Sequence, residues 1–188
     1  MRRLTVLVLS AVLAAMTALA GCSGDDGGST PTASCSGAGC ACGAGNTCTC
    51  NAGTDCRAEC GSASCSLVCQ TGSKCNANGS AAVDIDCHDS SECKGNAGDA
   101  SNISCNGSSK CELKAGASSV AVCSNAADCK FNLGAASTAT CNDTSKCGIK
   151  CDANCIVTCA STAACSLDCG AAGGATTCPD GRRVCGSC

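Results

Sequence analysis

Cysteine makes up 27 of the 188 residues. Thiols at that density either hold soft metals as thiolates or oxidise in pairs to disulfides. Their spacing separates the two chemistries. Cys69, Cys87, Cys105, Cys123, Cys141 and Cys159 stand 18 residues apart, and each has a partner six positions later, at Cys75, Cys93, Cys111, Cys129, Cys147 and Cys165. One unit precedes them (Cys50, Cys56) and a looser one follows (Cys178, Cys185), each offset by 19 residues. Thiolate clusters favour C-x-C, which occurs only at Cys40–Cys42 and Cys48–Cys50. The zinc-type C-x-x-C occurs once, at Cys185–Cys188, with no second knuckle. Disulfides are the stronger reading and thiolate metal binding the weaker.

Little else in the chain is placed to do chemistry. Asp84, Asp86 and His88 fall on alternate positions and would share one outward strand face, a weak candidate for a divalent cation. The next unit offers only Asn102, Ser104 and Asn106 there, so no metal site is expected. His88 is the sole histidine, and no nucleophile–base constellation forms around it. "CKGNAG" and "GAAGGA" lack the Lys-Ser/Thr of a phosphate loop. The expectation is a protein that is not an enzyme, with no catalytic residues and no cofactor. A formal charge of −3 and one aromatic residue, Phe131, give no basic face and no stacking platform, so no nucleic-acid partner is expected either.

The elements that position these cysteines follow from composition. From Ser23 onward only 15 residues are Leu, Ile, Val, Phe or Met, too few for a thick core, so covalent staples must do what the core cannot. Aligned by unit, the site two before each leading cysteine reads Ile85, Ile103, Ala121, Ala139, Val157. The site two after each second cysteine reads Ala77, Gly95, Leu113, Phe131, Ile149. Apolar residues on alternate positions, bracketed by the turn formers of "QTGSK", "HDSSE", "NGSSK" and "NDTSK", describe short strands with one face inward. A fixed period with imperfect end units marks a repeat array. The fold class is therefore all-β, a disulfide-stapled β-solenoid of eight 18-residue coils with small apolar and Cys columns inside.

Six extended residues span about 20 Å, whereas a disulfide holds its Cα atoms about 4.4–6.8 Å apart. A bridge within a unit therefore needs a bend between its cysteines. The expected bridges are Cys50–Cys56, Cys69–Cys75, Cys87–Cys93, Cys105–Cys111, Cys123–Cys129, Cys141–Cys147, Cys159–Cys165 and Cys178–Cys185. Cys60–Cys65 and Cys151–Cys155, which recur at matching offsets, would add two more. Bridges between neighbouring coils of one column, about 4.8 Å apart, stay open as an alternative. With Cys22 set aside, 26 cysteines remain, an even number compatible with full oxidation.

Arg2 and Arg3, the uncharged run "LTVLVLSAVLAAMTAL" and then "LAGC" read as an export signal. The last four residues resemble the lipobox of bacterial lipoproteins. The resemblance implies that Cys22 is lipidated after cleavage before it, and that Ser23 directs the chain towards the outer membrane. Residues 1–21 are then a signal peptide, 22–34 a lipid anchor and flexible tether, and 35–188 the Cys-rich solenoid, with regular repeats about 50–185. Loss of Arg2 and Arg3 takes the charge from −3 to −5.

"CHDSSEC" and "CNGSSKC" fit C-x-x-S-x-x-C, and in this spacing the chain is similar to the beetle antifreeze β-helices. That resemblance implies a bridge across each coil. The ice-binding Thr-x-Thr ranks of that family are missing, since only Thr138/Thr140 forms such a pair. The functional expectation is an exported, lipid-anchored cell-surface protein with a structural, interaction or adhesion role and an unknown surface protein or glycan as partner. The alternative is a ligand-binding solenoid for ice, a divalent cation or a glycan.

Overall fold

The computed structural model describes residues 33–170 and 173–188. The expected signal peptide, Cys22 and most of the tether lie outside the described residues. The chain is an all-β solenoid. Its strands, in order, are β1 (Ser34–Ser36), β2 (Cys40–Gly43), β3 (Thr47–Cys50), β4 (Asp55–Gly61), β5 (Cys65–Cys69), β6 (Lys74–Gly79), β7 (Val83–Cys87), β8 (Glu92–Asn96) and β9 (Asn102–Cys105). They continue with β10 (Lys110–Ala115), β11 (Val120–Cys123), β12 (Asp128–Leu133), β13 (Thr138–Cys141), β14 (Lys146–Cys151), β15 (Ile156–Cys159), β16 (Ala164–Asp168), β17 (Thr176–Thr177) and β18 (Arg183–Val184). Even-numbered strands from β4 to β16 stack in parallel as one wall, and odd-numbered strands from β3 to β15 as the other.

The 18-residue period sets the register. Cys111 lies between Cys93 and Cys129, and Cys123 between Cys105 and Cys141, so each cysteine column is continuous. The alternation read from the sequence is the burial pattern: Ile85, Ile103, Ala121, Ala139 and Val157 line one inner wall, and Ala77, Leu113, Phe131 and Ile149 the other. The interior is narrow, and in most coils bulk on one wall meets little on the other. Ile85 shares its coil with Gly95, Ala121 with Phe131, and Ala139 with Ile149. Gly95 could not be otherwise. Its φ is +142°, and a Cβ there would strike the Ala77 backbone of the coil before.

Two corners close each coil. At the first, the chain turns between paired cysteines, with the Ser73, Ser91, Ser109 and Ser145 amides donating to the carbonyls three residues back. At the second, Ala100, Ser118, Ala136 and Asn154 all adopt left-handed φ of 53–59°. An inter-coil serine ladder holds that corner in the middle of the rod. The Val83 amide donates to Ser101 Oγ (2.9 Å), Ser101 to Ser119 Oγ (3.2 Å) and Ser119 to Ser137 Oγ (3.1 Å). Nearer the ends, Cys60–Cys65 and Cys151–Cys155 replace it with bridges.

The parallel coils number seven, one fewer than the sequence count. β1 runs antiparallel to β4, β2 to β3, and β18 to β15, so both ends are folded back. The last cysteine unit is not a coil. Between Thr176–Thr177 and Arg183–Val184 the chain reverses through Pro179, Asp180 and Gly181, with the Gly181 amide bonded to the Cys178 carbonyl (2.9 Å). This turn carries Cys185 away from Cys178. The expected Cys178–Cys185 bridge is replaced by Cys169–Cys185 and Cys178–Cys188.

Candidate functional site

The cysteines divide by corner and by rank. Bridges lie within coils at Cys69–Cys75, Cys87–Cys93, Cys105–Cys111, Cys123–Cys129, Cys141–Cys147 and Cys159–Cys165, with Cα separations of 6.2–6.5 Å. Cys35–Cys40 closes the N-terminal cap. Sulfurs of stacked bridges, such as Cys87, Cys93 and Cys111, fall within 4.8 Å of one another, but as disulfides they offer no thiolate to a metal.

The first rank departs from the expectation. Cys50 and Cys56 occupy the register of Cys69 and Cys75, yet both are free thiols, as is Cys48. Thr54 marks this corner. It stands where later coils have Ser or Ala, its hydroxyl donates to the Asn51 carbonyl (2.7 Å), and Cys50 Sγ turns to the Thr54 carbonyl at 3.4 Å. Burial, and then the neighbouring Cys50 thiol, push the Cys56 thiol up to about 12; burial also raises Cys48. Cys48 and Cys56 are thereby kept neutral at ordinary pH and are poor nucleophiles, and Cys50 is fully buried. Alkylation of native protein near neutral pH should leave Cys48, Cys50 and Cys56 untouched. After denaturation without reductant, mass spectrometry should find all three modified. Unmodified Cys50 and Cys56 in the denatured chain would mean that this rank, too, is bridged.

Asp84, Asp86 and His88 do not converge on one point. Asp86 Oδ2 pairs with His88 Nε2 at 3.1 Å, while Asp84 Oδ1 accepts from Asn102 Nδ2 at 2.8 Å. The structure thus splits the trio between two separate partners.

The organised surface is elsewhere, on the outer face of the β4–β16 wall. Every lysine of the chain stands there: Lys74, Lys94, Lys110, Lys114, Lys130, Lys146 and Lys150. The site before each second cysteine forms a column that alternates in sign over six coils, Asp55, Lys74, Glu92, Lys110, Asp128, Lys146. Two residues on, a second column reads Arg57, Asn76, Lys94, Glu112, Lys130, Gly148. A third reads Glu59, Asn78, Asn96, Lys114, Asn132, Lys150. Strand alternation points all three outward, because the residues between them are the buried cysteines and inner-wall residues.

Pairs within coils and between neighbouring coils tie the face together. Lys94 Nζ lies 2.7 Å from Glu92 Oε1 and Lys150 Nζ 3.8 Å from Asp168 Oδ2, and Arg57 pairs with Glu59, which also accepts from Asn78 at 2.9 Å. The Lys94 hydrogen bond and charge hold the Glu92 carboxyl below its ordinary range, and Glu92 raises the Lys94 ammonium in return. Exposed pairs of this kind stabilise a fold little. What they supply is a patterned field. A search of the sequence for columns of a single residue type passes over this face, since its order lies in alternation of sign.

Compared with protein-family models, curated proteins and solved structures, the chain matches none.

Proposed function

We propose that this chain is a non-enzymatic, lipid-anchored, disulfide-rich cell-surface repeat protein, exported through its "LAGC" signal, whose rigid rod presents a charged face for contact. The observation that supports this reading is the collection of all seven lysines, with their alternating acids, on one wall. Lipidation of Cys22 by more than one acyl chain would hold the rod stably, each buried CH2 adding about 0.8 kcal/mol.

Labelled palmitate should enter the wild-type chain and not a Cys22→Ser variant. On intact cells a membrane-impermeant amine reagent should modify Lys74, Lys110 and Lys146, which are exposed. Equal palmitate incorporation in both chains would remove the anchor. Amine labelling only after cell lysis would remove surface display.

Ligand binding is a second reading, with one observation in its favour. The outer face of the opposite wall carries Val120, Val122, Thr138, Thr140, Ile156 and Thr158 in three adjacent coils, a flat β-branched patch suited to an uncharged, ordered surface such as ice or a glycan.

A further inference from the structure

The lysine-bearing wall has a symmetry that points to a partner. It contains eight strands in the order β1-β4-β6-β8-β10-β12-β14-β16, so its midpoint falls between β8 and β10. A two-fold axis through that midpoint, lying along the strands, would set a second copy face to face and antiparallel. Each column would then meet itself reversed. In the first column Asp55 meets Lys146, Lys74 meets Asp128, and Glu92 meets Lys110. In the second, Lys94 meets Glu112, Arg57 meets Gly148, and Asn76 meets Lys130. In the third, Glu59 meets Lys150, Asn96 meets Lys114, and Asn78 meets Asn132. At the ends, Ser166 and Asp168 meet Ser36 and Ser34 of the cap strand. No like charges oppose one another.

We propose that this face docks a second copy of the same chain, wall to wall and antiparallel. Alternation within a column already keeps like charges off neighbouring strands, but that need does not require three columns to share one axis at the centre of the sheet. A polyanion is a poor fit, because an acid interrupts the lysines at every second coil of the first column. The occupant must instead alternate in sign at the same ~4.8 Å strand spacing, as another solenoid of this register does. Eight strands about 4.8 Å apart, each presenting about 17 Å, offer roughly 650 Å² per copy, about 1,300 Å² in total. That lies at the lower edge of specific interfaces. The contact is accordingly weak, salt-dependent and suited to many copies acting together. This inference rests on the surface-display reading in one respect: antiparallel rods anchored at their N-terminal ends come from two opposing surfaces, which makes the contact a homophilic adhesion between cells.

Sedimentation of the full chain in mild detergent tests the pairing without reference to cells. At ~20 mM salt it should show a monomer–dimer equilibrium that weakens at least ~10-fold by ~500 mM. Lys110→Glu sets a second carboxylate against Glu92 across the axis, and Glu92→Lys sets a second ammonium against Lys110. Each alone should weaken self-association at least ~10-fold. Mixed, the two variants restore opposite charges at both positions and should pair as the wild type does, which also shows that each has folded. A monomer at low salt, a dimer indifferent to both substitutions, open-ended growth, or no recovery on mixing would overturn the proposal. Pairing that persists in a chain failing the palmitate test would overturn the anchor and leave the interface standing.

Discussion

Full reduction should abolish the fold. In excess reductant, after a brief exposure to denaturant, the chain is expected to lose its β circular-dichroism signal and not regain it when the denaturant is removed. Eleven bridges join described residues, and nine of them close short loops of four to six residues. In the chain-entropy account, closing so short a loop restricts the unfolded state by about 2 kcal/mol, so together the bridges contribute on the order of 20 kcal/mol. Typical domains are stable by only about 5–15 kcal/mol. The interior cannot make up the loss, since in most coils a large side chain on one wall faces Ala or Gly on the other. A reduced chain that keeps its β spectrum would show that the inter-coil hydrogen bonds and serine ladder suffice by themselves.

The second large effect comes from a single side chain. Ile103 is 2 % exposed and stacks between Ile85 and Ala121. In Ile103→Asp the carboxylate would sit in this stripe with no cationic partner, at a cost of roughly several kcal/mol. The melting temperature should fall by more than ~10 °C, or the chain should fail to fold. Asn102, its neighbour, is exposed and only donates to Asp84, so Asn102→Ser should stay within about 0.5 kcal/mol of wild type. Equal melting temperatures for the two variants would contradict the inward alternation. Asn102→Asp is a poorer control, because it sets a carboxylate beside Asp84.

That alternation is open to sequence reasoning because each column holds one kind of residue. Cys, then small apolar groups, return every 18 positions, and the first corner is spelled in Gly, Ser, Asn and Asp. The second corner is hidden. Its left-handed residues include Ala100 and Ala136, which carry no turn signal; their amides donate to the Ala117 and Ala153 carbonyls of the next coil, which hold them there. The free thiols at Cys50 and Cys56 are hidden too, since their six-residue spacing matches every regular bridged pair. Cys185 misleads because its spacing from Cys178 imitates a coil, whereas the Pro179–Gly181 reversal makes a cap. The charged face lies in plain sight as alternating Lys and Asp or Glu before each second cysteine, but its meaning depends on the eight-strand sheet and its midpoint.

The direction of the bridges decides how such a rod behaves under load. In the regular coils each disulfide ties a coil to itself, and neighbouring coils adhere through backbone hydrogen bonds and packing. Tension applied between the two ends therefore meets no disulfide between one regular coil and the next, only the backbone that connects them. The rod should tear one coil at a time, in a sawtooth of small forces. Each bridge also shortens what a torn coil can release: 12 of its 18 residues plus one Cα–Cα step of about 6 Å, or about 45–50 Å instead of about 60 Å. Stapled across its width and free along its length, the molecule should yield in regular increments while every increment keeps its own loop closed.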